Sequence, residues 1–509
     1  MSSLRHNWLA VSTNYLRFGT GMLAVLLVTP LCVRILGAHG FGLWSLAVAC
    51  VGLVGLLEAG LGTTALRFAG HAEGSGRTAD RNRYLGSLLA VALPAGAVIA
   101  AVAWLVAPSL AALLSMEGAD ATDFVMLVRC GGLALGVALP GSLWRAALVA
   151  RGDLPLTNVI EAIAIVSGSC VTAACLLAGA GVGSMVAGFT VTTVLPALAY
   201  IPAAHWRSGS LRISPRRVSW NDLKEMRGFA GAATVANSAN LAALRCEPMI
   251  VKGFLPIASV GHYAVSARMT EYLLMLAKQF SNALTPAIAR AHGGDDPAAV
   301  RRILLAGTGS LFALTALGAS LAGLQAPELL TSWLGAEFAA AAPALRWLLA
   351  AAVLSSLSMN AAGVLGMTGH HRAVATACAL AAVLRLLAGA LLIGRLGLEG
   401  PGIAALVSAA SVELALVLRR ACRLHEVRAR ELVTVALLPG IAGTAALWIL
   451  AWLLEGWPLH GGWASILLRS ALLGTAFILV ALASSQIFTR RRDGGGLQRL
   501  AGAPAGVRP

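Results

Sequence analysis

Runs of twenty or more predominantly apolar residues recur along this chain from end to end, and no other feature so narrows what it can fold into. A helix of about twenty residues crosses the ~30 Å hydrocarbon core of a bilayer. Repeated runs of that length predict an all-α polytopic membrane protein. Composition agrees: of 509 residues, 58% are hydrophobic and only 12% charged, too little charge to cover the surface of a soluble chain of this size.

The apolar runs predict about fourteen helical segments, near 8–36, 41–69, 84–114, 124–150, 156–178, 183–204, 227–252, 261–289, 302–325, 343–368, 373–395, 401–420, 432–454 and 464–488. The first is too long for the apolar core of a signal peptide and reads as a retained membrane helix. Arginine marks the connections after even-numbered segments: Arg77, Arg81 and Arg83; Arg151; Arg207, Arg212, Arg216, Arg217 and Lys224; Arg290 and Arg301; Arg372; and Arg419, Arg420, Arg423, Arg428 and Arg430. Connections after odd-numbered segments, such as SMEGAD and LQAPELLTSWLGAEFAAAA, hold almost none. The positive-inside rule then places both termini in the cytoplasm of a multi-pass inner-membrane protein. The expected organisation is an N-lobe over 1–206, a basic cytoplasmic linker over 207–226, a C-lobe over 227–425, an appended helix pair over 426–488 and a cytoplasmic tail over 489–509. An even number of helices per half makes the halves parallel. LGAHGFGLW after the first segment and FLPIASVGHY after the seventh each end Gly-x-aromatic, at Gly42/Trp44 and Gly261/Tyr263.

The formal charge of +16 sits mainly in the short loops, where it reads as topology signal and headgroup contact; it implies no nucleic-acid partner. The chain holds no P-loop pattern, and its three lysines, Lys224, Lys252 and Lys278, do not follow glycine, so it is not itself an ATPase. Of eight cysteines, seven lie inside apolar runs, and none forms an extracellular disulfide pattern or a zinc module. Adjacent His370 and His371 diverge on a helix and read as an interfacial pair. No metal or other cofactor is expected. Outward loops are too short for an extracytoplasmic catalytic domain, so the chain does not read as an enzyme.

Charged side chains recur inside the apolar segments: Arg17, Glu58, Arg129, Arg145, Glu161, Arg245, Glu247, Arg268, Glu271, Lys278, Arg385 and Glu413. Each costs about 2.5–3.5 kcal/mol to insert. So many of them suggest a polar interior, although any single one also reads as a structural ion pair or a snorkelling side chain. Asn14 and Arg17 share a helix face, as do Ser238 and Arg245, while Arg268, Glu271, Met275, Lys278 and Asn282 step by three or four along one stripe. A stripe of two cations, one carboxylate and one amide suits an anionic phosphate headgroup. Arg17, Arg245, Arg268, Lys278, Asn14 and Asn282 are the candidate substrate-binding set, and Glu58 and Glu271 the candidate coupling or ion-pair acids.

The stretch TPLCVRILGAHGFGLWSLAVACVGLVGLLEAGLGTTALRF resembles the first two helices of polysaccharide exporters in the multidrug/oligosaccharidyl-lipid/polysaccharide superfamily. It carries Leu36, Gly37, Phe41, Gly42, Trp44, Glu58, Gly60 and Arg67 in the family's order, with Glu58 where the family usually has Asp. VGHYAVSARMTEYL resembles the family's eighth-helix entry. The closest type is the Wzx-type flippase of undecaprenyl-diphosphate-linked oligosaccharides. That resemblance implies two six-helix lobes in a MATE-like arrangement around a cationic cavity, plus two further helices. It also implies a lipid-linked oligosaccharide substrate, membrane lipids, and a polysaccharide polymerase and chain-length regulator as partners. The related lipid II flippases place arginines of helices 1 and 8 on the pyrophosphate, a role carried here to Arg17 and Arg268. They bind sodium through acids on helices 7 and 11, but the eleventh segment here has Arg385 and no acid.

Other readings are a lipid II flippase, a MATE-type drug exporter, or, outside transport, a polytopic lipid-carrier glycosyltransferase or polymerase. A cavity dominated by arginine would repel cationic drugs, and the enzymes need larger outward loops. Glu58 reads either as a proton-linked carboxylate or as a structural partner of a neighbouring arginine.

Overall fold

The structure, a computed structural model, describes residues 2–55, 58–215, 218–454 and 462–501. Among the described residues there is no strand, and the chain divides into two compact units, Met1–Ala264 and Val265–Pro509.

The first unit begins with α1 (Ser2–Val54), which breaks at Gly37, where φ is 68°. Side chains other than glycine rarely adopt that region, so the first turn between segments falls on the one residue that tolerates it. α1 ends at Val54, and α2 (Glu58–Gly74) follows. Next come α3 (Thr78–Leu113), α4 (Gly118–Ala150), α5 (Leu154–Leu177), α6 (Gly183–Arg207) and α7 (Trp220–Phe254). Lipid gives little hydrophobic drive for helix pairing, so close backbone approach matters. A Cβ on Gly96 of α3 would lie 2.3 Å from the Gly136 carbonyl of α4, and one on Gly136 would lie 2.5 Å from the Gly96 carbonyl. Leu85, Leu139, Leu143, Leu148 and Tyr200 pack the core of this bundle.

At the end bearing the basic loops, ion pairs tie these helices together. Arg81, fully buried, donates to Glu73 at 2.6 Å, and Arg151 reaches the same carboxylate at 3.1 Å. The linker is fixed to this end: Asn82 donates to the Ser210 carbonyl at 2.8 Å and Arg83 to Asp222 at 2.8 Å. Ser219 caps α7 by accepting from the Asp222 backbone N–H. α7 packs against α1 and α2, and so belongs with the first unit. The basic linker marks a change in composition near 207–226, whereas the packing boundary falls at Ala264, within α8 (Ile257–Gly293).

The second unit contains the rest of α8, then α9 (Pro297–Leu324), capped by Asp296, whose side chain accepts from the Ala299 N–H at 2.8 Å. The long expected connection 326–342 is not a plain loop. It holds α10 (Ala326–Leu334) and a tight turn of helix over Ala336–Ala341. At nine residues α10 is too short to register as a membrane run, yet Ala326, Leu330, Trp333 and Leu334 bury one face of it. Then follow α11 (Ala342–Met367), α12 (His371–Leu396) and α13 (Gly400–Ser408). α13 continues in wider π register over Ala409–Leu418 into α14 (Arg419–Leu424). A short turn, α15 (Ala429–Glu431), leads through a second π stretch, Leu432–Leu437, into α16 (Leu438–Leu453). Last comes α17 (Trp463–Ala501). Buried Asn360 of α11 donates to the α9 carbonyls of Ile303 and Leu304 at 3.2 and 3.1 Å, locking those helices together. α16 and α17 pair with each other and lie against α9, around Leu447, Leu473 and Phe477.

Among the described residues, 10 stretches are long and apolar enough to cross a membrane. Two of them, Ser12–Leu53 and Arg372–Leu424, each run through more than one of the expected segments. The chain is a multi-pass helical membrane protein.

Candidate functional site

Four helices of the first unit deliver charged or polar side chains to one point. Arg17 of α1 and Arg145 of α4 both donate to Glu161 of α5: Arg17 Nη1 to Oε2, and Arg145 Nε to Oε1 at 2.7 Å. Tyr200 Oη of α6 donates to the same Oε1 at 2.8 Å. Asn14, one turn before Arg17, accepts from its Nη2 at 3.3 Å. One turn away from Glu161, Asn158 donates to Thr13 at 3.2 Å, continuing the polar line between α1 and α5. Two guanidiniums against one carboxylate leave a net positive charge. The guanidinium side chains are 35% and 39% exposed against 17% for Glu161, so the cations face accessible space and the carboxylate sits behind them. Arg145, Glu161 and Tyr200 lie five to seven residues from their helix ends, which at ~1.5 Å per residue is roughly 7–11 Å inside the end bearing the basic loops.

Of the expected binding set, this cluster contains Arg17 and Asn14. Arg145, Glu161 and Tyr200 complete it; none of the three was assigned a site role by sequence, although both charges were visible in their apolar runs. Their partners lie up to 144 positions away in the chain, and no local spacing signals such a pairing.

Arg245 lies on α7. Its side chain lies across α1, where a Cβ on Gly52 would fall 2.7 Å from its Nε. On α8 the expected stripe is present: Arg268, Met275, Lys278 and Asn282 are exposed, and Ser266, Thr270, Ala277 and Ser281 bury the opposite face. Arg268 donates to Glu271 at 3.1 Å, a pair in which the side chains are 54% and 40% exposed. Such a pair is worth little to stability and leaves donors open to a ligand. The side chains of Glu58 and Ser238 lie outside the described residues; the backbone of Glu58 opens α2.

Several remaining intramembrane charges are structural. Arg129 donates to the Trp104 carbonyl at 3.2 Å and stacks on the Trp104 ring at 4.6 Å. Glu247, buried, accepts from Tyr263 Oη at 2.5 Å, and Glu413, within the π stretch, accepts from Ser358 at 3.0 Å. Among the described residues no group of three or more His, Cys, Asp or Glu could hold a metal ion.

Two helical units with charged clusters set into membrane-crossing helices define a polytopic helical membrane fold. Among solved structures, the lipid II flippase MurJ in an inward closed conformation superposes with TM-score 0.73 at 10% identity, covering 94% of this chain and 99% of that one. An inward-facing MATE-family multidrug resistance transporter of the MOP superfamily superposes with TM-score 0.68 at 17% identity, covering 82% and 100%. At these identities the likeness is one of fold.

The chain belongs to the polysaccharide biosynthesis protein family, which matches residues 31–342. A Shigella flexneri protein described as "Putative O-antigen transporter" is 21% identical over 260 residues, 50% of this chain and 60% of that protein. The chain thus spans about 60% of the length of that curated relative.

Proposed function

We propose that this protein flips a lipid-linked oligosaccharide, carried on undecaprenyl diphosphate, across the bacterial inner membrane for surface polysaccharide synthesis (O-antigen, capsule or exopolysaccharide). The observation that carries the reading is the pair Arg17 and Arg145, drawn from two helices onto one carboxylate with their guanidiniums still accessible. Guanidinium forks match phosphate oxygens, and in a medium of low dielectric a net positive site attracts a diphosphate headgroup strongly. The cluster lies a turn or two inside the basic-loop end, where a headgroup entering from the cytoplasm arrives first. In this reading the chain makes fourteen crossings with both termini cytoplasmic, and a polysaccharide polymerase and chain-length regulator act downstream. Arg245 and the α8 residues Arg268, Lys278 and Asn282 are further proposed headgroup contacts, with Glu271 as the ion-pair partner of Arg268.

A net positive cluster weighs against a cationic drug as cargo. A lipid II substrate shares the same headgroup chemistry and is separated by its glycan. The family membership and the O-antigen transporter relative support the oligosaccharide. Arg17→Ala and Arg145→Ala should each lower surface glycan at unchanged levels of inserted protein, with Lys restoring only part, since a point charge does not reproduce the two-pronged contact. Normal glycan in both Ala variants, at normal protein level, overturns the site.

A further inference from the structure

A site built only to hold an anion would not place a carboxylate between its two arginines. Glu161 does more than sit nearby. Its Oε1 takes Nε of Arg145 at 2.7 Å and Oε2 takes Nη1 of Arg17. These are the kind of donors that a phosphate oxygen needs. The third bond, from Tyr200 Oη at 2.8 Å, comes from a neutral donor on a different helix. It would hold the carboxylate in place whether or not the arginines remain on it. The exposures order the groups in the same way: arginines forward, carboxylate behind.

We infer that Glu161 is an internal competitor for the cargo's diphosphate. In the empty protein it occupies the arginine donors. When the headgroup arrives, the phosphate oxygens take Arg17 and Arg145, and Glu161 stays on Tyr200. When the headgroup leaves, Glu161 recaptures the arginines. This inference rests on the headgroup reading above and adds a role to it. A transporter gains nothing from cargo it holds too tightly in one state, and two unopposed guanidiniums in a poorly hydrated site would hold a diphosphate in that way. The carboxylate therefore sets affinity low enough for release, and Tyr200 is a positioning residue for it.

The test uses the purified full chain in detergent, with geranylgeranyl diphosphate as the probe and geranylgeraniol as the uncharged control. Wild type should prefer the diphosphate, and Arg17→Ala and Arg145→Ala should each weaken it by about tenfold. Glu161→Gln removes the competing charge and should bind the probe about tenfold more tightly, while surface glycan in cells falls because release slows. Glu161→Asp should stay near wild type in affinity. Tyr200→Phe removes the donor that holds Glu161 once the arginines leave it and should weaken the probe by about threefold; it serves as the second variant if Glu161→Gln does not accumulate.

If the arginine variants weaken binding but Glu161→Gln does not tighten it and Tyr200→Phe does not weaken it, Glu161 is a structural counter-ion. This inference then fails and the headgroup reading stands. If wild type does not distinguish diphosphate from alcohol, or the arginine variants bind unchanged, the headgroup reading fails and takes this inference with it.

Discussion

Arg81 and Glu73 give the most direct test of the packing. Arg81 is fully buried at the start of α3, and its Nη1 meets Glu73 Oε2 at 2.6 Å. Replacing Glu73 by Gln keeps the shape but leaves a buried guanidinium without a carboxylate, which typically costs 3–5 kcal/mol, so about 3 kcal/mol is expected. The lower end applies because Arg81 keeps bonds to Asn82 Oδ1 at 3.2 Å and Ser210 Oγ at 3.3 Å. Arg81→Met removes the buried charge and fills similar volume. Glu73, 21% exposed, retains Arg151 at 3.1 Å, so this variant should cost only about 1 kcal/mol. In the double variant no charge is stranded, and the penalty of Glu73→Gln should nearly vanish, a coupling of about 3 kcal/mol. The assay is the apparent melting temperature of detergent-purified protein, read as a rank order: wild type, then Arg81→Met and the double variant together, then Glu73→Gln lowest. A double variant that melts at the sum of the two single losses would refute the argument, because it would mean that Arg81 is not a desolvated charge dependent on Glu73.

Three further outcomes follow from particular residues. Reporter fusions at Met116 and Ser214 should read opposite sides of the membrane, with Ser214 cytoplasmic; the same side for both would break the topology. His425, in the turn after α14, has its pKa lowered by burial and then by the neighbouring His292 and His370. The unfolded chain therefore takes up a proton at that position at higher pH than the folded protein, and stability should fall as pH drops below about 6.5. His425→Gln should flatten that decline in apparent melting temperature between pH 7.5 and 5.5, and an unchanged slope would count against it. Finally, Gly42→Ala places a Cβ 2.2 Å from the Ile257 carbonyl and should cost about 1–3 kcal/mol by overpacking, whereas Gly70→Ala, with open space around it, should melt as wild type does.

The helices were legible because lipid imposes a length and an apolarity that few other environments demand. The α8 stripe was legible for a similar reason, since spacing of three and four along one helix fixes a face whatever the helix packs against. Elements below that length were not. α10 has nine residues and buries one face, so a search for runs of twenty passes over it. The cluster at Glu161 was half legible. Arg17, Arg145 and Glu161 each stood out as a charge in an apolar segment, but which of them meet depends on how α1, α4, α5 and α6 pack, and single-sequence spacing holds no information on that. The membership of α7 is a matter of the same kind. Composition changes at the linker, while α7 packs against α1 and α2.

The weakest signal in the sequence carries the most structural information. Gly42 and Gly261 were matched only as the middles of two short Gly-x-aromatic echoes. In the first unit they pack on each other. A Cβ on Gly42 would lie 2.2 Å from the carbonyl of Ile257, and a Cβ on Gly261 would lie 2.3 Å from the carbonyl of Ala38. Each glycine therefore meets the carbonyl four positions before the other, so the contact is the same read from either side. This contact gives a reason for the glycines that the echo alone did not: two backbones approach closely here, and a side chain at either position would meet the other helix's carbonyl. The aromatic residues two positions on, Trp44 and Tyr263, stand just beside that contact. Tyr263 uses its place there to donate to buried Glu247, while Trp44 packs edge-on against Phe189. The backbone contact is thus shared by the two echoes, while the side chains beside it meet different partners.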